Sequence, residues 1–191
     1  LLMFSFPFAQ LYPQPVWLGM GDWAQVISTA LIGSMPMNYV SLEMLTTALA
    51  WIAASLTLAL GMKDSAPRLA IMMILLVITI GLKIIFTGMQ FGIDKAFMWF
   101  TPGAFWGMIF SSVLLIGLFQ LPRRLLYYVA ITAFLGMLSL VNFFPQNPYY
   151  FSTLQEWQQG RLIHFNHLLS WVSWLWPISA GLSLLKGLRS R

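Results

Sequence analysis

Apolar residues run along this chain in blocks of about twenty, the length that a helix needs to cross the ~30 Å hydrocarbon core of a bilayer. The first block extends from about Val40 to Met62 and is closed by Lys63, Asp64, Ser65, Ala66, Pro67 and Arg68, a polar stretch suited to a hairpin. A second, Leu69 to Phe91, is interrupted only by Lys83 and followed by Gly92, Ile93, Asp94 and Lys95. The third runs from about Phe100 to Leu121 and stops at Pro122, Arg123 and Arg124; the fourth, Leu125 to Phe144, stops at Pro145. The tight turn at Pro122 predicts that these two are neighbours. The fifth covers about Phe165 to Leu185, with Pro177 in its middle. The pattern predicts an all-α, polytopic membrane helix bundle of about five transmembrane helices.

The first 39 residues follow a different pattern. Leu1 to Ala9 reads as the last turns of an apolar helix, and a chain that starts on Leu1 reads as a fragment of a longer protein. No basic n-region precedes this stretch, so it does not read as a signal peptide. Two prolines then break the chain in Leu11-Tyr-Pro-Gln-Pro-Val-Trp17. Between Asp22 and Ile32, Trp23, Val26, Ile27, Ala30 and Leu31 recur at helical spacing, which predicts an outer interfacial helix, with a re-entrant segment as the alternative. The division is therefore 1–39, the end of a preceding helix and an outer segment, and 40–191, a five-helix transmembrane domain.

Composition agrees: 59% of residues are hydrophobic and 8% charged, where soluble proteins carry about 25% charge. With no cysteine, disulfides, thiolate metal sites and cysteine nucleophiles are excluded. The net charge of +5 is too diffuse for nucleic-acid binding and instead reflects topology. Lys63, Arg68, Arg123, Arg124, Lys186, Arg189 and Arg191 fall in alternate connections and the tail, whereas only Lys95 and Arg161 fall in the others. Lys and Arg are retained on the cytoplasmic side of short loops, so the C-terminus is expected to be cytoplasmic.

Lys83 is the costliest residue to insert, at roughly 2.5–3.5 kcal/mol for a lysine near a helix centre. Thr79, Lys83, Thr87 and Gln90 share one helix face, which should point into the bundle. Glu43 is the expected partner, although Lys83 lies roughly 12 Å below the outer end of its span. Two readings are open. In one, Lys83 and Glu43 form a charged substrate or proton site; in the other, an ion pair or a snorkelling lysine fixes helix register. Gly103, Gly107 and Ser111, and then Thr132 with Gly136, are small residues at spacings of four and predict close backbone packing. Asn142 is expected to bond a helix terminus.

The connection from Pro145 to Gly160 is rich in aromatics and amides, Asn147 and Trp157 among them, and suits a headgroup surface. Ser152 or Thr153 would cap a short helix in it and Gly160 would end it. Arg161, His164, Asn166 and His167 then lead into the fifth span. His164 and His167 are three apart, but no further His or Cys completes a metal site, and none is expected. Hydrogen bonding to lipid headgroups or neighbouring loops is the default reading, with acid–base work by Glu156 or a histidine the alternative. Trp157, Trp171, Trp174 and Trp176 would make an aromatic belt near the outer face. No feature points to a haem, flavin, nucleotide or Fe–S cofactor.

Several short motifs, Trp99-Phe-Thr-Pro-Gly-Ala104, Leu121-Pro-Arg-Arg124, Asn142-Phe-Phe-Pro-Gln-Asn-Pro-Tyr149, Trp157-Gln-Gln-Gly160, Trp176-Pro177 and Gln10-Leu-Tyr-Pro-Gln14, resemble the C-terminal membrane region of long bacterial VanZ-like proteins. The resemblance implies an integral inner-membrane protein of the cell envelope, with an association to resistance against the glycopeptide teicoplanin, and no established reaction. The family core pairs Asp-Lys with a following His and Tyr, whereas Asp94-Lys95 is followed here by Ala, Phe and Met. The core is therefore expected upstream, and its functional residues are not carried onto these positions. The leading expectation is a non-catalytic scaffold or a module that engages lipid or glycan headgroups, with membrane lipids, a lipid-linked cell-wall precursor or other membrane subunits as partners. The alternative is a membrane enzyme or transporter for an amphiphilic, lipid-linked substrate, acting through Lys83, Glu43, Arg161 and His164.

Overall fold

The structure is a computed structural model that describes residues 1–11, 38–144 and 163–189, without the side chains of residues 163 and 164. The interfacial helix expected at Asp22 to Ile32, and Asn147, Trp157 and Arg161, lie outside the described residues. The described chain is helical: α1 (Leu2–Ala9), α2 (Tyr39–Leu60), α3 (Arg68–Phe91), a 3-10 turn (Ile93–Lys95), α4 (Pro102–Leu118), α5 (Arg123–Phe143) and α6 (Ile163–Arg189). Four of these, α2, α3, α5 and α6, are long and apolar enough to cross a membrane. α4 has 17 residues, about 26 Å at 1.5 Å per residue, and is shorter than expected. Thr101 caps its start, accepting from the Ala104 N–H at 3.1 Å, and the chain leaves the helix at Leu118.

Successive helices run up and down, and α2 is the central one. Its buried positions include Ala48, Trp51, Ala53, Ala54, Ser55 and Leu56, so small residues alternate with large ones around most of its circumference. α4 and α5 each pack closely on α2, and hardly on each other. The neighbour expectation for the Pro122 turn is thus corrected: the turn places α4 and α5 on either side of α2. The cause lies in the helix surfaces. Close backbone approach replaces the hydrophobic effect as the driving force within lipid, and α2 and α4 meet through small residues. A Cβ at Gly103 would lie 2.8 Å from the Val40 carbonyl oxygen, and one at Gly107 2.6 Å from that of Met44. Ser111 continues the stripe, fully buried, with its hydroxyl donating to the Gly107 carbonyl at 2.6 Å. On α5, Gly136 meets Leu49 of α2, but Thr132 is exposed, and Ala130, Ala133 and Met137 form the rest of the packed face.

α1 lies inside the bundle, antiparallel to α6. The Phe6 ring is held between Trp51 and Trp176, with centroids 5.7 and 5.1 Å away. Trp176 is not a belt residue. It is buried, and its indole N–H donates to the Leu2 carbonyl at 2.9 Å, which gives the donor a partner in apolar surroundings. Trp171, by contrast, is exposed. α3 is the most peripheral span, with Ile74, Val77, Ile78, Ile85 and Met89 exposed. In a chain of this composition, that surface suits lipid.

One polar network closes the opposite end from Glu43. Arg123, at the start of α5, donates to the Asp64 carboxylate at 2.6 Å and to the carbonyls of Leu60 and Met62 at the end of α2. Arg68 at the start of α3 donates to the same carboxylate. The hydrogen bond from Arg68, together with the charge of Arg123, holds the Asp64 carboxyl below its ordinary value of 3.8. The orphan carbonyls of α2 are thereby capped by a side chain from another helix.

Candidate functional site

Three elements converge on Lys83. Along α3, Thr79, Thr87 and Gln90 are buried and Lys83 between them is partly buried, so this face turns inward. Thr79 satisfies its hydroxyl locally, donating to the Leu75 carbonyl at 2.7 Å. α3 ends at Gly92, whose φ of +105° belongs to a backbone region that residues with a Cβ rarely adopt. The reversal this allows leads into the 3-10 turn and lays buried Ala96 back against Gly88 on α3, 3.4 Å from where a Cβ would stand there. The Trp99 indole N–H then donates to the Ala96 carbonyl at 3.1 Å, which fixes the ring. Its face receives the Lys83 ammonium, with Nζ 4.9 Å from the ring centroid. Such a contact is worth about 0.5–1 kcal/mol at exposed sites and ~2 when desolvated.

Glu43 supplies the opposite charge. It is buried in the second turn of α2. Its Oε2 lies 2.8 Å from where a Cβ would stand at Gly103, so the carboxylate rests against the first turn of α4. The positive end of the helix dipole favours an anion there. Only a glycine at 103 leaves room for it. Within the spans, the Lys83 ammonium is thus seated on an aromatic face and the Glu43 carboxylate against a helix terminus.

The other expected site residues are dispersed or beyond description. His167 is exposed in α6, while Asn166 beside it is buried and has a partner. The His164 side chain is not described. Among the described residues no group of three or more His, Cys, Asp or Glu is placed to hold a metal ion. Asn142 donates to the Leu138 carbonyl at 2.8 Å, a bond within its own helix. Gln90 is buried, and among the described residues neither its amide oxygen nor its nitrogen has a partner. Trp99 is the residue that sequence reasoning missed as a partner for Lys83, because it lies sixteen positions on, in a different element. The Gly92 stop followed by a buried Ala96 is the only local signal that the connection folds back.

No family model, no curated protein and no solved structure matches the chain. What the residues and the fold define is a helical membrane protein.

Proposed function

We propose that the chain is a VanZ-like module of a bacterial cytoplasmic membrane that acts as a non-catalytic scaffold, with its Lys95 side outward and its C-terminus cytoplasmic. Residues 10–39 and 145–164 would form an outer surface for lipid or glycan headgroups. The observation that carries the scaffold reading is the Lys83 arrangement: its ammonium sits on Trp99 with Glu43 as counter-charge, so the costliest residue is used to fix the register of α2, α3 and α4. The clustering of basic residues at the other end supports the orientation.

A second reading, an enzyme or transporter for an amphiphilic lipid-linked substrate, is favoured by one feature, the Gln90 amide on the Lys83 face, which has no partner among the described residues. Lys83→Met separates the two. The scaffold reading expects altered stability or yield, in either direction, with the co-purified lipids of the full-length protein unchanged by mass spectrometry. If the variant is as stable as the wild type but loses one lipid class, as does Arg161→Ala, the second reading replaces the first.

A further inference from the structure

At the basic end, the last turn of α2, the start of α5 and the last turns of α6 leave a cavity of about 270 Å³ between them. Thr57, Tyr127, Ser183, Leu184, Lys186 and Gly187 are among its lining residues. A single water needs only ~10–15 Å³ of such space, so the cavity accommodates a tetrahedral oxyanion with carbon attached.

The charge around it is one-sided. Among the described residues this end carries Lys63, Arg68, Arg123, Arg124, Lys186 and Arg189 against Asp64 alone, which Arg68 and Arg123 share. Among the described residues the other half is balanced, with Lys83 and Lys95 against Glu43 and Asp94. The carbonyls at the end of α2, which would repel an anion, are covered by the Arg123 guanidinium. Thr57 has spent its donor on the Ala53 carbonyl at 2.6 Å. Ser183 and Lys186 are three apart on α6, share a face, and have no hydrogen bond or ion pair among the described residues. A free hydroxyl and a free ammonium side by side at the mouth of a cavity, with Leu60 and Leu184 for the carbons behind, fit a phosphate ester.

We infer that this cavity is a binding site for an anionic phosphate ester, held by Lys186 and Ser183 at the basic end of the bundle. The ester is supplied by an anionic phospholipid or by a soluble phosphate. A basic pocket between membrane helices is a known form of headgroup recognition in chemical terms, and this one lies at the opposite end from Lys83, so it stands whichever reading of Lys83 holds.

The test is native mass spectrometry of the purified full chain with added dioleoyl phosphatidylglycerol or dioleoyl phosphatidylcholine. Wild type is expected to retain the phosphatidylglycerol preferentially, and Lys186→Gln combined with Ser183→Ala to lower that retention about fivefold or more. Lys186→Arg, and Lys95→Gln at the far end, should keep the preference. Displacement of the lipid by millimolar sodium phosphate would assign the site to soluble phosphates, and its persistence would assign it to the lipid. Equal retention of both lipids by the wild type, an unchanged preference in the paired variant, or an equal loss in Lys95→Gln would overturn the inference. The paired sites are exposed on α6, and an unchanged thermal midpoint shows that the comparison is made on folded protein.

Discussion

Gly107→Ala is the sharpest perturbation of the α2–α4 contact. The added Cβ would stand 2.6 Å from the Met44 carbonyl oxygen and 2.8 Å from Thr47 Cβ, where ordinary contact begins at 3.4 Å. A carbonyl oxygen belongs to the backbone of α2 and cannot rotate away, so the helices must part by about 0.8 Å along that line, and the dispersion contacts of Ser111 and Gly103 on either side loosen with it. Overpacking of this kind costs about 1–3 kcal/mol, and the gain in helix propensity from Gly to Ala returns roughly 0.5–1 kcal/mol. The net loss is about 0–2.5 kcal/mol, centred near 1. Gly117, on the same helix, has nothing within 4 Å of its would-be Cβ and provides the control. Unfolding in mixed micelles, driven by a denaturing detergent and followed by circular dichroism, should place the Gly107→Ala midpoint below wild type and the Gly117→Ala midpoint at or above it. Equal midpoints for the two variants would refute the close approach of α2 and α4.

Two further outcomes are expected. Because the folded Asp64 carboxyl lies below its ordinary value of 3.8, its contribution is complete above the unfolded value of about 3.9 and is lost as pH falls through the lowered folded one. Amide protection factors at the start of α5, each referred to the intrinsic exchange rate at its pH, should therefore fall in acid in the wild type, whereas those of Asp64→Asn should be low already at neutral pH; parallel profiles for the two proteins would contradict the network. The absence of native cysteine allows clean labelling: in intact cells a membrane-impermeant maleimide should react with Lys95→Cys and spare Ser65→Cys, and the reverse pattern would invert the proposed orientation.

How much of this was legible in the sequence depends on what each feature requires. The spans were, because a run of twenty apolar residues and a Pro or charged stop are local properties; α2 and α3 begin and end within about two residues of the expected bounds. The stripe Gly103, Gly107, Ser111 announced a close contact but not its partner, since a small residue fits any helix that can approach, and the partner is α2 rather than the sequence neighbour α5. Lys83 and Glu43 were legible as costly residues in need of partners. Trp99 was not, because its place depends on the backward fold after Gly92, a tertiary event with a single glycine as its local trace. Trp176 looked like an interfacial anchor because tryptophan favours that position, yet the carbonyl it needed came from α1. Lys186 was legible only as a basic residue of the tail, and its pairing with Ser183 was not, since the cavity beside them is made by three helices far apart in sequence.

The central claim, that Lys83 is a structural pin, is tested most directly by a double-mutant cycle on folding stability with Lys83→Met, Trp99→Leu and the two combined. A cation seated on the ring predicts a coupling of about 0.5–2 kcal/mol. Effects that add to within ~0.3 kcal/mol would show that Lys83 and Trp99 do not hold each other, and would contradict the account.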